Sequence, residues 1–366
     1  MQVILVTVDS LRYDAFQENM PLTRDTLEWN HDLAFSTGPN TGEAFPAILG
    51  GVYPRQIGLP TGTSLALQMG GYTAGVSTNH LLATKYGYNE GFDTFSSPAD
   101  EGDSLKDWAT THLSQGTFLY KIGAKAWSLF ERVSPHGYTP SFRPAADVIA
   151  DFETIRAEQD DWFIWLHFME PHHPYEPPTA EDRLYARQLS RSVIAGSSSD
   201  PNVYRQVRSY YRQEVEALDR ALESLWEQVS DDTRVLFCAD HGELLGEDGK
   251  WGHPGCFKPE LLHVPLGGIN IQEPGNLVSL VDVPSLLLGS EHNQGELVRE
   301  VAFATDGREW AATDGEEIAT PEGVFDLWDG SKTENPRLKR AQSSFDAKTS
   351  ALEEADTDDL EQLGYL

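Results

Sequence analysis

Asp240 and His241 stand side by side behind the apolar run Val235-Leu236-Phe237 and just before Gly242. A carboxylate and an imidazole are both ligands for hard or borderline divalent ions. The run reads as a buried strand, and open α/β sheets place their sites beyond the carboxyl ends of strands. A second run, Val3-Ile4-Leu5-Val6-Thr7-Val8, ends the same way in Asp9. Two carboxylates and an imidazole, delivered by strand ends far apart in the chain, describe one metal site assembled by the fold. Manganese, zinc, calcium or magnesium would each accept these ligands. Taken singly, Asp9 could cap a helix and His241 could be a buried structural histidine.

A third element is the loop Gly38-Pro39-Asn40, which runs into a short helix at Thr41. A hydroxyl at the amino end of a helix sits in a field that favours anions. Bound to a metal, it would be acidified and could attack a phosphorus or sulfur centre. The alternative is that Thr41 only caps the helix.

These residues need a sheet to bring them together. Strand-like runs occur at Val3–Val8, Thr73–Ser77, Trp162–Phe168, Arg234–Cys238 and Val264–Ile269, with helical patterns between them. The clearest helix covers Asn202–Val229, where Val203, Val207, Tyr210, Tyr211, Val215, Leu218, Leu222 and Leu225 recur at three- and four-residue steps. Asp200-Pro201 supplies its start signal. The alternation predicts an α/β fold, a mostly parallel sheet with helices on both faces. Ser190–Pro201 reads as a loop, and Ser96–Arg143 as a less regular insertion near the site. From about Glu300 short strands take over, at Val301–Thr305, Glu309–Thr313 and Gly323–Trp328, with turns at Asp306-Gly307 and Asp314-Gly315. The polar stretch Asp329–Gln342 leads to a last helix at Asp346–Leu363. The expected organisation is a catalytic α/β domain over 1–295, then a small C-terminal antiparallel subdomain over 296–366 whose terminal helix packs on the core.

Charge narrows the partners. Among 366 residues, 58 are acidic and 27 basic, a net charge of −31, and only nine of the basic residues are lysine. Such a surface repels nucleic acid and anionic membranes, which excludes both as partners. Evenly spread acid with scarce lysine is expected of a halophilic source. No apolar run reaches the roughly 18 residues of a membrane span. The chain enters a strand by residue 2 with no signal-peptide pattern, so a cytoplasmic location is expected. Cys238 and Cys256 give no disulfide framework. Nothing in the pattern specifies an oligomer.

Seven segments, taken together, resemble the sulfatase family of the alkaline phosphatase superfamily, in an acidic, haloarchaeal form. They are Ile4-Leu5-Val6-Thr7-Val8-Asp9-Ser10-Leu11-Arg12, Leu49-Gly50-Gly51-Val52-Tyr53-Pro54, Gly71-Tyr72-Thr73-Ala74 and Glu170-Pro171-His172-His173-Pro174-Tyr175. Ala239-Asp240-His241-Gly242-Glu243, Leu262-His263-Val264-Pro265-Leu266 and Val281-Asp282-Val283-Pro284-Ser285-Leu286-Leu287 complete the set. They fall in family order over about residues 2–290. The resemblance implies an alkaline-phosphatase-like fold, an anionic ester substrate and one divalent ion on Asp9, Asp240 and His241. It places the nucleophile, also a metal ligand, at Thr41. By position, His172 matches a catalytic histidine on the substrate side. His253 falls near a lysine or histidine that contacts the anion or leaving group, and Asn79 near an anion-contacting lysine.

Other residues are read from their setting. Arg12 could contact the substrate or pair with a local carboxylate. His167 could face the site or be a hydrogen-bonded core histidine. His173 reads as a solvated neighbour of His172, and His263 as structural.

The departures from the family narrow the chemistry. Formylglycine-dependent sulfatases need Cys or Ser followed by x-Pro-x-Arg. Here the segment is Thr41-Gly42-Glu43-Ala44-Phe45, so that modified residue cannot form and Phe45 replaces the arginine. Ser10 stands where many sulfatases carry a second aspartate ligand. A threonine nucleophile is similar to that of the superfamily's phosphodiesterases and phosphoglycerol transferases. No second set of three ligands is legible, so a single ion is expected. The expected activity is metal-dependent hydrolysis of a phosphate or sulfate ester through Thr41. The rivals are transfer of a phospho-substituent to a sugar or lipid acceptor, and a silent relative that binds a glycan or anion.

Overall fold

The strand Gln2–Val8, buried at all but its first position, is the centre of the fold in a computed structural model of the chain. The structure describes residues 1–55, 58–98, 140–289 and 299–346. In spatial order the main sheet runs Trp29–Asn30, Leu266–Ile269, Thr233–Ala239, Gln2–Val8, Trp162–Phe168, Tyr72–Val76 and Thr94–Ser96. The last five of these run parallel. Leu266–Ile269 is antiparallel to both its neighbours. Every residue of Trp162–Phe168 is buried, as parallel strands covered on both faces require. Sequence reading located five of these strands to within two residues. It missed Trp29–Asn30 and Thr94–Ser96, which are too short to show a period.

Helices lie on both faces of the sheet, as the alternation predicts. The long helix spans Pro201–Trp226 and buries Val207, Tyr210, Tyr211, Val215, Leu218, Leu222 and Leu225. Asp200 caps it by accepting the Asn202 N–H at 2.8 Å, and Pro201 opens it. It packs against the helices Tyr13–Asn19, Pro21–Thr26, Ala145–Ala157 and Arg183–Ile194. That last helix takes in the first part of the loop expected at Ser190–Pro201. Its N-cap Asp182 and an amphipathic turn outweigh the serines that follow. Thr41–Gly50 packs on Val283–Leu288 and ends at Gly51, which adopts φ +63°.

A separate five-stranded antiparallel meander, Ala302–Thr305, Trp310–Thr313, Glu317–Thr320, Gly323–Asp326 and Lys332–Thr333, follows. Asp306 and Asp314 hold two of its turns by accepting N–H groups two and three residues on. The helix Pro336–Asp346 covers this sheet, with Phe345 stacked on Phe303 at 4.0 Å. The sequence hid that helix in the polar stretch Asp329–Gln342, because it buries little beyond Leu338 and Gln342. Thr305 donates its N–H to Thr37 at 2.9 Å, which ties the small sheet to the loop before Thr41. The boundary expected at 295, all but the first residue of the last helix expected over Asp346–Leu363, and most of Ser96–Arg143 lie outside the described residues. Among the described residues no helix is long and apolar enough to cross a membrane.

Candidate active site

Strands Gln2–Val8 and Thr233–Ala239 pair in parallel with Val8 opposite Ala239. The next residue of each is a ligand candidate, so Asp9 and Asp240 emerge side by side. Donor atoms of Asp9, Asp240 and His241 lie within 4.8 Å of one another, and none of the three is exposed. His241 Nε2 is 3.7 Å from Asp9 Oδ1, 3.6 Å from Asp240 Oδ2 and 3.5 Å from Thr41 Oγ1. Thr41 Oγ1 donates to Asp9 Oδ2 at 3.3 Å. The helix start at Thr41 thus delivers its hydroxyl to the same point as the two strand ends.

The donor set fits a divalent cation. His241 Nδ1 lies 2.8 Å from the Gly242 carbonyl, which fixes the ring with Nε2 bare and facing the carboxylates. Asp240 Oδ2 is buried and accepts no hydrogen bond among the described residues. Burial and the facing Asp9 carboxylate push Asp240 up to about 6. Burial alone would lower His241, but Asp240 and Asp9 outweigh it and raise the imidazole. Asp240, with one oxygen unpartnered and a second carboxylate facing it, is costly to keep charged without a cation.

Ser10, in the place of a second aspartate, serves as a donor. Its backbone is left-handed, with φ +58°. Its N–H reaches Asp240 Oδ1 at 3.2 Å and its hydroxyl reaches Asp9 Oδ1 at 2.9 Å. Asn79 donates through Nδ2 to Asp9 Oδ2 at 2.8 Å and to Thr41 Oγ1 at 3.4 Å. It orients Asp9 and the Thr41 hydroxyl together. His167 Nε2 lies 3.5 Å from Asp9 Oδ2, and its Nδ1 meets the Thr7 hydroxyl at 2.9 Å. His167 therefore buttresses Asp9 from within the strand.

Arg12 is the exception among the expected site residues. Its guanidinium is engaged by both oxygens of Asp14, by Glu247 at 2.8 Å and by the Glu243 carbonyl at 3.1 Å. It is the local ion pair, and its expected contact with substrate is corrected here. His263 is structural, with Nε2 on the Asp32 carbonyl and its ring stacked on Tyr13.

Beside the carboxylates the fold assembles a group the sequence did not reveal. His172, His173 and His253 are all buried, with ring nitrogens within 4.8 Å of one another. His172 Nδ1 meets the His173 carbonyl and His253 Nδ1 meets Asn40 Oδ1, so both rings point Nε2 inward, 3.1 Å apart. Burial lowers His172 to about 3 and also lowers His253. The three rings do not converge on one ion. A metal lies about 2 Å from an imidazole nitrogen and in the ring plane, whereas His172 and His173 stack at 4.4 Å with 19° between planes. His173 is 3% exposed, which corrects its reading as a solvated neighbour. A cavity of about 460 Å³ opens here, lined by Asn40, His173, Trp251, His253, Asp306 and Arg308. The last two come from the tip of the first C-terminal hairpin.

Residues 2–266 match the protein family described as Sulfatase. This chain belongs to the sulfatase family. A curated relative, the low-salt glycan biosynthesis sulfotransferase Agl7 of Haloferax volcanii, is 25% identical over 342 residues, 92% of this chain. The chain spans 66% of that relative's length. Among solved structures, the phosphonate monoester hydrolase of Agrobacterium radiobacter superposes with a TM-score of 0.59 at 16% identity, covering 89% of each chain. The lipoteichoic acid synthase LtaP of Listeria monocytogenes superposes with a TM-score of 0.56 at 15% identity, covering 96% of this chain and 93% of that one. These likenesses show a shared fold. Proteins with this fold include some named as hydrolases and some named as transferases.

Proposed function

We propose that this chain is a metal-dependent hydrolase of a sulfate or phosphate ester with Thr41 as nucleophile. The observation that carries the reading is the Thr41 hydroxyl, buried 3.3 Å from Asp9 and 3.5 Å from His241. Asp9, Asp240, His241 and Thr41 would hold the ion. When bound, a divalent ion supplies positive charge that acidifies a ligated hydroxyl and offsets charge on the ester oxygens. Asn79 and His167 fix Asp9, and Asn79 also fixes Thr41. Thr41 attacks the sulfur or phosphorus, the bond to the ester oxygen breaks, the alcohol leaves with a proton taken from solvent, and a threonine ester forms. His172 and His253 turn Nε2 inward, 3.1 Å apart, and would orient the outer oxygens of the anion once they take up a proton. Water then releases the product.

The second reading is transfer to an acceptor alcohol in place of water. The 460 Å³ cavity beside the site favours it, since it has room for an acceptor, and a relative is named a sulfotransferase. The test is turnover of aryl sulfates, aryl phosphates and phosphodiesters in high salt with titrated metal, with and without sugar alcohols. Thr41→Ala should abolish turnover while metal binding partly remains. A fully active Thr41→Ala protein would overturn the reading.

A further inference from the structure

The turn that carries the chain from the strand Gln2–Val8 into the helix Tyr13–Asn19 is gripped by a hydroxyl from a separate element. Tyr211 lies on the buried stripe of the helix Pro201–Trp226. Its O–H donates to the Ser10 carbonyl at 2.9 Å and accepts the Arg12 N–H at 3.0 Å, so it holds the chain on both sides of Leu11. Tyr211 is 2% exposed and its ring meets Tyr175 edge-on at 5.5 Å, which fixes where the hydroxyl sits. The residue it holds is strained. Among the described residues, the non-glycine positions with positive φ are Ser10, Asp248 and Asn270. Asp248 and Asn270 are exposed and of types that tolerate left-handed backbone. Ser10 is neither, since it is fully buried. Such a backbone persists only where the surroundings over-determine it.

We infer that Tyr211 is a positioning residue of the metal site, which holds Asp9 and Asp240 ready for one ion by locking the Ser10 turn. The inference rests on the metal site of the reading above and not on Thr41 as nucleophile. The left-handed turn aims two donors of Ser10 at two different ligand candidates, its N–H at Asp240 Oδ1 and its hydroxyl at Asp9 Oδ1. Ser10 is thus the one residue that bridges the two strand ends on the ligand side, and Tyr211 fixes the bridge. Without the Tyr211 oxygen, the buried Ser10 carbonyl and the Arg12 N–H both lose a partner. The strained serine then relaxes towards negative φ. That rotation swings its N–H and its hydroxyl off the two carboxylates together.

The test is calorimetric titration of the folded protein in high salt with whichever of Mn²⁺, Zn²⁺, Mg²⁺ and Ca²⁺ the wild type binds tightest. Tyr211→Phe keeps the ring and removes the oxygen. Its metal Kd should rise about 10-fold or more, as for other groups that orient metal ligands from behind. In a Ser10→Gly background φ +58° carries no strain, and there the same change should cost less than about 3-fold. A role in stability alone would lower the melting of metal-free and metal-loaded protein alike and leave Kd at the wild-type value. That result in Tyr211→Phe would overturn the inference, and so would equal losses in the two backgrounds. If Tyr211→Phe does not fold, Ser10→Ala tests the next link by removing the hydroxyl from Asp9. A weaker Kd there supports the inference, and a native one sinks it. Wild type that binds none of the four ions would overturn the metal reading itself, and this inference with it.

Discussion

Thr305 hands its backbone N–H to the carbonyl of Thr37 at 2.9 Å, joining the C-terminal sheet to the segment that presents Thr41. Between that bond and the helix lies Gly38, and there is no room there for a side chain. A Cβ on Gly38 would stand 2.2 Å from Glu43 Cβ and 2.6 Å from the Thr305 carbonyl oxygen. Both obstacles are rigid.

Gly38→Ala should therefore displace the loop. The expected cost is about 1–3 kcal/mol of stability, as for other overpacked sites, with a loss of turnover larger than the loss of folded protein. Thermal melts and kcat on the same preparation check this. A variant with native melting and native kcat would show that the segment yields freely.

Metal loading should be visible in stability. A divalent ion at 100 times its Kd adds about 2.7 kcal/mol to a state that binds it. Wild-type protein should melt lower in chelator and higher with Mn²⁺ or Zn²⁺. Asp240→Asn removes one of two facing carboxylates, so it should melt at least as high as wild type in chelator and respond weakly to metal. Asn79→Ala leaves the ligands but frees Asp9, and metal affinity should drop about 10–100-fold. Calorimetric titration separates the two cases.

Glu214, on the inward face of the helix Pro201–Trp226, is pushed up to about 8 by burial and by the charge of Glu170. Its folded pKa lies above its unfolded one. The folded state then holds the extra proton, and stability falls as pH rises from about 4.5 to about 8. Glu214→Gln keeps an oxygen to accept the Glu176 N–H now bonded at 2.7 Å. It should flatten that slope and raise the melting temperature more at pH 8 than at pH 5. Denaturant melts across this window provide the measurement, and an unchanged slope would mean that Glu214 ionises freely.

A net charge of −31 should make the fold salt-dependent. Screening shortens the reach of like-charge repulsion from roughly 10 Å at 0.1 M salt to about 3 Å at 1 M. The melting temperature should climb steeply into molar KCl. A flat response would remove the halophilic reading.

The central sheet and the convergence of Asp9, Asp240 and His241 were legible because their signals are local. Asp9 and Asp240-His241 directly follow apolar runs, and a residue one step beyond a parallel strand must emerge at the same edge. Arg12 was not legible. Whether it turns toward the site or toward Asp14 depends on the left-handed backbone of Ser10, which no periodicity announces. His173 was misread because Glu170–Tyr175 is irregular and proline-rich, with no repeat to say which imidazole faces inward. Glu243 sits in a motif quoted for its other members, and its burial beside Gly252 and His173 shows only in the fold. The helix Pro336–Asp346 was hidden by its own polarity.

The pairing of Val8 with Ala239 has a consequence for how such a protein can change. Neighbouring strands lie about 4.8 Å apart, so the gap between the two carboxylates is gauged by the sheet and not by any loop. Loops can then be exchanged without recalibrating that gap. The hairpin tip bearing Asp306 and Arg308 reaches the cavity from a different sheet, so it is a detachable part. Swapping it would change the lining of the cavity and leave untouched the spacing of Asp9 and Asp240.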